Sequence, residues 1–220
     1  MIHVFIGYDN KTKVAYHVLS ESISKHSSEP VTITPIRLEN LKHIFTRKSD
    51  TLASTEFSFS RFLVPYLMDY KGWALFMDSD MVMLSDIAKL WESRNQNYTV
   101  QVCKHDYTPK LSNKFLNKKQ TIYKKKNWSS LMLMNCGKCD KLTPEYVNTA
   151  SGLDLHQFMW TDDVGDIPLE WNWLVGEYPF KKDVHNIHFT EGGPYFKEFK
   201  NTEYAEEWFK VYKDVIEIDL

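Results

Sequence analysis

The chain has 220 residues, a formal net charge of −2 and 43% apolar residues. That allows one large domain or two small ones and excludes a disordered chain. Charge this close to zero gives no general attraction to nucleic acid, and no stretch approaches the roughly 18 apolar residues that cross a bilayer.

Ile2 to Ile6 is a short β-rich run that ends at Gly7-Tyr8-Asp9. Val14, Val18, Leu19 and Ile23 recur at helical spacing behind it. Strand, turn and helix place backbone N–H groups and a positive helix end near Gly7 to Asn10, which suits an anion. The glycines do not form GxGxxG, so a dinucleotide fingerprint is absent. Val31 to Leu38 reads as a second strand, with Pro30 and Pro35 marking its limits. Phe59, Phe62, Leu63, Tyr66, Leu67 and Tyr70 predict a helix with a wide apolar face, with Ser58 and Arg61 off that face. Pro65 kinks this helix or sets its start.

Trp73 to Met77 is a wholly apolar run that stops on Asp78-Ser79-Asp80. It reads as a buried strand whose exit carries two carboxylates. Met81 to Leu84 is another apolar run, Ser85-Asp86 caps a short helix toward Trp91, and Tyr98 to Cys103 alternates as a strand. Residues 104–126 then carry eight lysines against one acid, Asp106. Such a segment reads as a solvated loop, a lid over an acidic ligand, or a patch that touches anionic lipid. Leu131 to Met134 is a strand ending at Asn135, and a helix-rich stretch covers Pro144 to Phe158. Val184 to Phe189 is a late strand containing His188, and Thr202 to Tyr212 is an aromatic helix. Strands alternating with helices imply an α/β fold with a mainly parallel central sheet flanked by helices, in one domain over 1–220.

The three cysteines, an odd number, and the lack of a leader pattern point to reduced thiols and a cytoplasmic setting. Cys136-Gly-Lys-Cys139 has the spacing of a redox pair or half a zinc site, and no second pair completes the latter.

Asp78 and Asp80 repel one another unless a cation lies between them. The bland alternative is a solvated acidic turn. In open α/β sheets, ligands bind where strands end. Asp9, Asp78 with Asp80, Asn135 and His188 all follow apolar strands and could converge there. His188 is either a satisfied core histidine or a third metal ligand. His185, at odd offset in the same strand, points to the other face. Two carboxylates suit Mg²⁺ or Mn²⁺, and an imidazole beside them tilts the choice toward Mn²⁺.

Several segments together are similar to glycosyltransferase family 8, whose members are retaining, metal-dependent enzymes of the GT-A (Rossmann-like) fold. Phe5-Ile6-Gly7-Tyr8-Asp9 resembles its opening strand and nucleotide turn. Phe57 to Pro65 resembles the helix that supplies an arginine, and Phe76 to Asp80 resembles the DxD signature. Ser130 to Asn135 resembles the N-S-G-x-x-x-x-N strand. Trp160-Thr161-Asp162-Asp163 with Pro168-Leu169-Glu170-Trp171-Asn172 resembles the acidic segment before L-P-x-x-W-N. Ile187-His188-Phe189-Thr190 resembles the late I-x-H-F motif. The likeness runs from residue 2 to about residue 196.

The resemblance implies a metal bound by Asp78, Asp80 and His188, and a nucleotide-sugar donor, a UDP-sugar above all. Gly7, Tyr8 and Asp9 would meet the nucleotide, and Arg61, Ser79 and Asn135 would line the donor site. Asp162 or Asp163 would stand beside the sugar. A lysine that touches the diphosphate in the family is replaced here by Gly193; Lys197 or a lysine of 104–126 would take its place. The implied activity is transfer of a hexose to a glycan or lipopolysaccharide-type acceptor. The alternatives are a metal-dependent nucleotidyltransferase or sugar-nucleotide hydrolase, and a non-catalytic sugar-nucleotide-binding module.

Overall fold

A computed structural model describes residues 1–48, 55–110 and 123–217. Six strands form the main sheet. In chain order they are β1 (Ile2–Gly7), β2 (Val31–Ile36), β3 (Trp73–Met77), β5 (Val100–Val102), β6 (Leu131–Asn135) and β7 (Val164–Asp166), arranged β2-β1-β3-β6-β5-β7. β1 is parallel to β2 and β3, and β5 is parallel to β7. β6 alone runs backwards, antiparallel to both β3 and β5. A second sheet holds β4 (Met81–Met83), β8 (Trp173–Leu174) and β9 (Asn186–His188) in the order β4-β9-β8.

The uninterrupted apolar sequence of β3 follows from burial on both faces. Ala74 and Phe76 point into one core, with Phe57, Phe62 and Leu155. Trp73, Leu75 and Met77 point into the other, with Leu19 and Ile23 of α1 (Lys13–His26) and with Ile87 and Leu90. Each of the buried Leu, Ile, Phe and Met side chains contributes roughly 2 kcal/mol by leaving water. α2 (Val64–Leu67), α4 (Pro144–Thr149) and α5 (Gly152–His156) lie on the Phe76 side; α3 (Ile87–Glu92), capped by the Asp86 carboxylate, lies on the Leu75 side. α6 (Ala205–Ile216) buries Trp208 and Val211 against Val18 of α1 and Ile187 of β9.

The long helix expected over 59–70 is shorter. Ser60–Leu63 is a 3₁₀ turn and only Val64–Leu67 is α-helical. Pro65 sits in the first turn, where its missing N–H costs nothing, and Asp69 and Tyr70 (φ 52° each) turn left-handed and end the helix. Ser58 and Arg61, expected outside the apolar face, are both buried. The centre of the lysine-rich segment, 111–122, lies outside the described residues.

Candidate metal and donor site

The apolar run of β3, a central strand, carries the chain to the end of the sheet and releases it as Asp78-Ser79-Asp80. The Asp78 amide donates to the Ser130 carbonyl (2.8 Å), so β3 pairs with β6 up to its last residue. β4 then starts at once and pairs antiparallel with β9, placing His188 opposite Met81, one residue beyond Asp80. The Phe189 amide donates to the Asp80 carbonyl at 2.9 Å. Two chain segments more than a hundred residues apart therefore meet at the DxD turn.

Ligand atoms of Asp78, Asp80 and His188 lie within 4.8 Å of one another, and no other such group is found among the described residues. His188 Nε2 stands 3.3 Å from Asp80 Oδ1, and Nδ1 stands 2.9 Å from Asn172 Oδ1. Two hard carboxylates and one imidazole form a donor set that fits Mn²⁺ or Mg²⁺.

Arg61 Nη1 lies 2.7 Å from Asp78 Oδ1. The same guanidinium donates from Nε to the Ser58 carbonyl (3.0 Å) and from Nη1 to the Ser129 carbonyl (2.9 Å). It sits over the rings of Phe57 and Phe76. This fixed planar fork orients Asp78 in a way a flexible lysine does not. Ser129 Oγ is in turn 2.7 Å from His156 Nδ1. Burial first, then the charges of Arg61 and Arg47, push the His156 pKa down to about 3, so the imidazole is neutral.

Two phenols border the carboxylates. Tyr195 is held well above its usual pKa by burial and then by Asp80 and Asp9. Tyr123 is raised by burial, while Arg61 opposes the shift and Asp78 adds to it. His105 is pushed down to about 3 by burial and then by His188, and its Nδ1 lies 2.9 Å from the Tyr178 hydroxyl.

At the first turn, Asp9 is buried and accepts from the backbone of Lys11 (2.9 Å) and Glu56 (3.2 Å), so its carboxylate shapes the loop. Tyr8 packs edge-on to Tyr16, with the Arg37 guanidinium 5.0 Å from its ring centre. Gly7 leaves room for Phe57, whose ring a Cβ there would meet at 2.2 Å. Ser79 is buried within the DxD turn.

Four expected residues lie elsewhere. Asn135 pairs with Trp73 at the start of β3, five residues from Asp78, or roughly 17 Å along the strand. The expectation failed because β6 runs antiparallel, so its first residues reach the site and its last leaves it. Asn135 instead donates from Nδ2 to Gln96 Oε1 (3.1 Å). Asp162 and Asp163 are exposed and stand at the same far end, where the Asp163 carbonyl accepts from Thr99 N and the Thr99 carbonyl accepts from Asn135 N. The α5 side chain near Arg61 is His156, not an acid. Lys197 is exposed and lines an apolar cavity of 470 Å³ with Val14, Trp208 and Tyr212. Gly193 is buried, and the Tyr195 ring fills the space a side chain there would need.

Asn172 and Ser129 join the site unforeseen, although Asn172 closes the Pro168–Asn172 segment. His156 was missed because no local pattern marks it. Cys136 and Cys139 are buried and bonded to backbone carbonyls, and burial pushes the Cys136 thiol up to about 12. A protonated, inert thiol is the opposite of what redox or zinc chemistry needs. Among the described residues, no helix is long and apolar enough to cross a membrane.

Comparison with known proteins bears on the family and the fold. The profile of glycosyl transferase family 8 matches residues 3–192. Protein CDI of Arabidopsis thaliana is 45% identical over 216 residues, covering 93% of this chain and 83% of its own. The galactosyltransferase LgtC, solved with donor and acceptor sugar analogues, aligns with a TM-score of 0.63 at 9% identity, over 99% of this chain and 97% of its own. The bifunctional glycosyltransferase WbbM aligns over 96% of this chain at 16% identity with a TM-score of 0.64, and GlyE of Streptococcus pneumoniae TIGR4 aligns over 96% at 14% with a TM-score of 0.63. The chain spans 51% of WbbM and 61% of GlyE. With its sheet order, its Asp-Asp-His group and a matching profile over nearly its whole length, the chain belongs to glycosyl transferase family 8.

Proposed function

We propose that the protein is a retaining hexosyltransferase, acting within one domain over 1–220, that moves a sugar from a UDP-sugar to a saccharide acceptor of glycan or lipopolysaccharide type. The observation that carries this reading is the Asp78, Asp80 and His188 group within 4.8 Å, with Arg61 locked on Asp78. The likeness to LgtC, which was solved with sugar analogues at both subsites, supports the donor and acceptor classes.

In this reading Asp78, Asp80 and His188 hold Mn²⁺ or Mg²⁺. When bound, the ion offsets the negative charge that develops on the leaving diphosphate. Arg61 keeps Asp78 aimed inward, and the Tyr8-Asp9 turn takes the nucleotide. We read Asp162 and Asp163 as standing outside the reaction centre, since they precede β7 at the end of the sheet opposite Asp78. The acceptor hydroxyl gives its proton to the leaving phosphate, so no strong side-chain base is required.

Gly193 offers no cation, so the lysine-rich segment supplies the second positive charge. Lys126 is buried next to Asn127, whose Nδ2 donates to Thr190 Oγ1 at 3.0 Å, two residues from His188. We also place the protein in the cytoplasm, with other, exposed lysines of that segment, such as Lys110, in weak contact with an anionic membrane face.

A second reading, a non-catalytic sugar-nucleotide-binding module, is favoured by Gly193 alone. Calorimetry with UDP separates binding from its absence: affinity rises with Mn²⁺ and is lost in Asp80→Ala. Equal affinity with and without metal sinks the metal reading. Formation of a glycoside from UDP-sugars eliminates the module.

A further inference from the structure

We propose that Asn172 sets which nitrogen of His188 is offered to the metal; this rests on the metal reading above. His188 is 2% exposed, and each ring nitrogen faces a polar side chain. Nδ1 lies 2.9 Å from Asn172 and Nε2 lies 3.3 Å from Asp80. A neutral imidazole has one N–H and one lone pair, and its neighbours decide which nitrogen is which.

The orientation of the Asn172 amide follows from the network, since oxygen and nitrogen ends have the same shape. Asn172 is wholly buried. One end faces Ser130 Oγ at 2.9 Å and the Asn127 carbonyl at 3.5 Å. The Ser130 hydroxyl has a single hydrogen, and it donates this to the Asn127 carbonyl at 2.7 Å. Toward Asn172 it can therefore only accept. The amide end facing Ser130 must be the NH₂, so the end facing His188 is the carbonyl oxygen. His188 Nδ1 must carry the proton, and the Nε2 lone pair points at the carboxylate side, where a cation would be shared.

Ser130 also fixes Asp78, because its carbonyl accepts the Asp78 amide at 2.8 Å. One residue, immediately before β6, thus ties the backbone of the first ligand to the ring of the third. Asn172 is a positioning residue: it touches the ligand and not the reacting atoms. Such outer partners fix the tautomer and orientation of a metal-bound histidine, and their loss typically costs 10–100-fold in metal affinity.

The test uses the full chain with ¹⁵N-labelled histidine. Two-bond ¹H–¹⁵N correlation of neutral His188 should show Nδ1–H. Asn172→Leu should switch it to Nε2–H and weaken Mn²⁺ binding, measured by electron paramagnetic resonance without nucleotide, by about 10–100-fold. Asn172→Asp keeps an oxygen toward the ring and should retain Nδ1–H. Should Asn172→Leu not fold, Ser130→Ala frees the amide to turn over and should give mixed tautomers with an intermediate loss of affinity. Nε2–H in the wild type overturns the proposal, as does unchanged Mn²⁺ affinity in folded Asn172→Leu or unchanged tautomer and affinity in Ser130→Ala. Wild type that keeps Nδ1–H yet binds no Mn²⁺ upholds the tautomer control and sinks the metal reading instead.

Discussion

Gly193 stands where the family pattern calls for lysine, and the structure explains it by steric exclusion. A Cβ at 193 would lie 2.2 Å from Tyr195 Cε1, 2.7 Å from Cζ and 2.9 Å from Cδ1. To regain 3.4 Å the ring must retreat by 3.4 − 2.2 = 1.2 Å. It has little freedom, because it packs on Phe196 (4.8 Å between centroids) and Trp208 (5.5 Å). Overpacking of this kind costs about 1–3 kcal/mol, and in a domain of this size each kcal/mol moves Tm by roughly 2–4 °C. Gly193→Ala should therefore lower Tm by roughly 2–12 °C in a thermal melt. In a Tyr195→Ala background the same change should cost almost nothing, giving a coupling of about 1–3 kcal/mol in a double-mutant cycle. An unchanged Tm in Gly193→Ala, or additive effects in the double variant, refutes the exclusion argument.

Two further outcomes follow from the geometry. Asp162→Asn and Asp163→Asn should leave sugar transfer from a UDP-sugar unchanged, since both side chains are exposed at the end of the sheet opposite Asp78; a large fall in kcat for either overturns that placement. His156 has a folded pKa of about 3 against about 6.5 in the unfolded chain, so below about pH 6.5 the unfolded state binds the extra proton. Stability falls as pH drops from about 6.5 toward 3, with a slope approaching 1.4 kcal/mol per pH unit for this group. Denaturant midpoints across that window should show a shallower slope in His156→Gln, and an unaltered slope contradicts the neutral assignment.

Much of the site was legible because its signals are local. The apolar run that stops on Asp78-Ser79-Asp80 needs only the knowledge that strands end at sheet edges. The separation of His185 from His188 needs only the period of two: His185 bonds Ser85 Oγ at 2.9 Å and packs on Trp171, while His188 faces Asp80. Strand direction was not legible. Leu131 to Met134 is a four-residue apolar run, closed by Asn135, that reads the same whether it enters or leaves the site. Reversing it exchanges Asn135 for Ser129 and Ser130. The same reversal ranks β5 and β7 so that Asp163 comes level with Asn135. The exclusion of a side chain at Gly193 was hidden for a different reason, being a contact with a ring two residues away whose direction only packing sets.

The strand pair β4–β9 joins the stability of this molecule to its chemistry. His188 reaches Asp80 because Met81 pairs with His188, Val82 with Ile187 and Met83 with Asn186. A slip of one residue would turn every side chain of β9 to the opposite face. His188 would then enter the core now filled by Ile187, Val82 and Trp208, and Ile187 would face the carboxylates. Such a slip is opposed from both faces. Ile187 is fully buried against α6, and Asn186 donates to the Trp171 carbonyl at 2.9 Å, in the turn that carries Asn172. The apolar contacts that anchor α6 therefore also hold His188 in register beside Asp80.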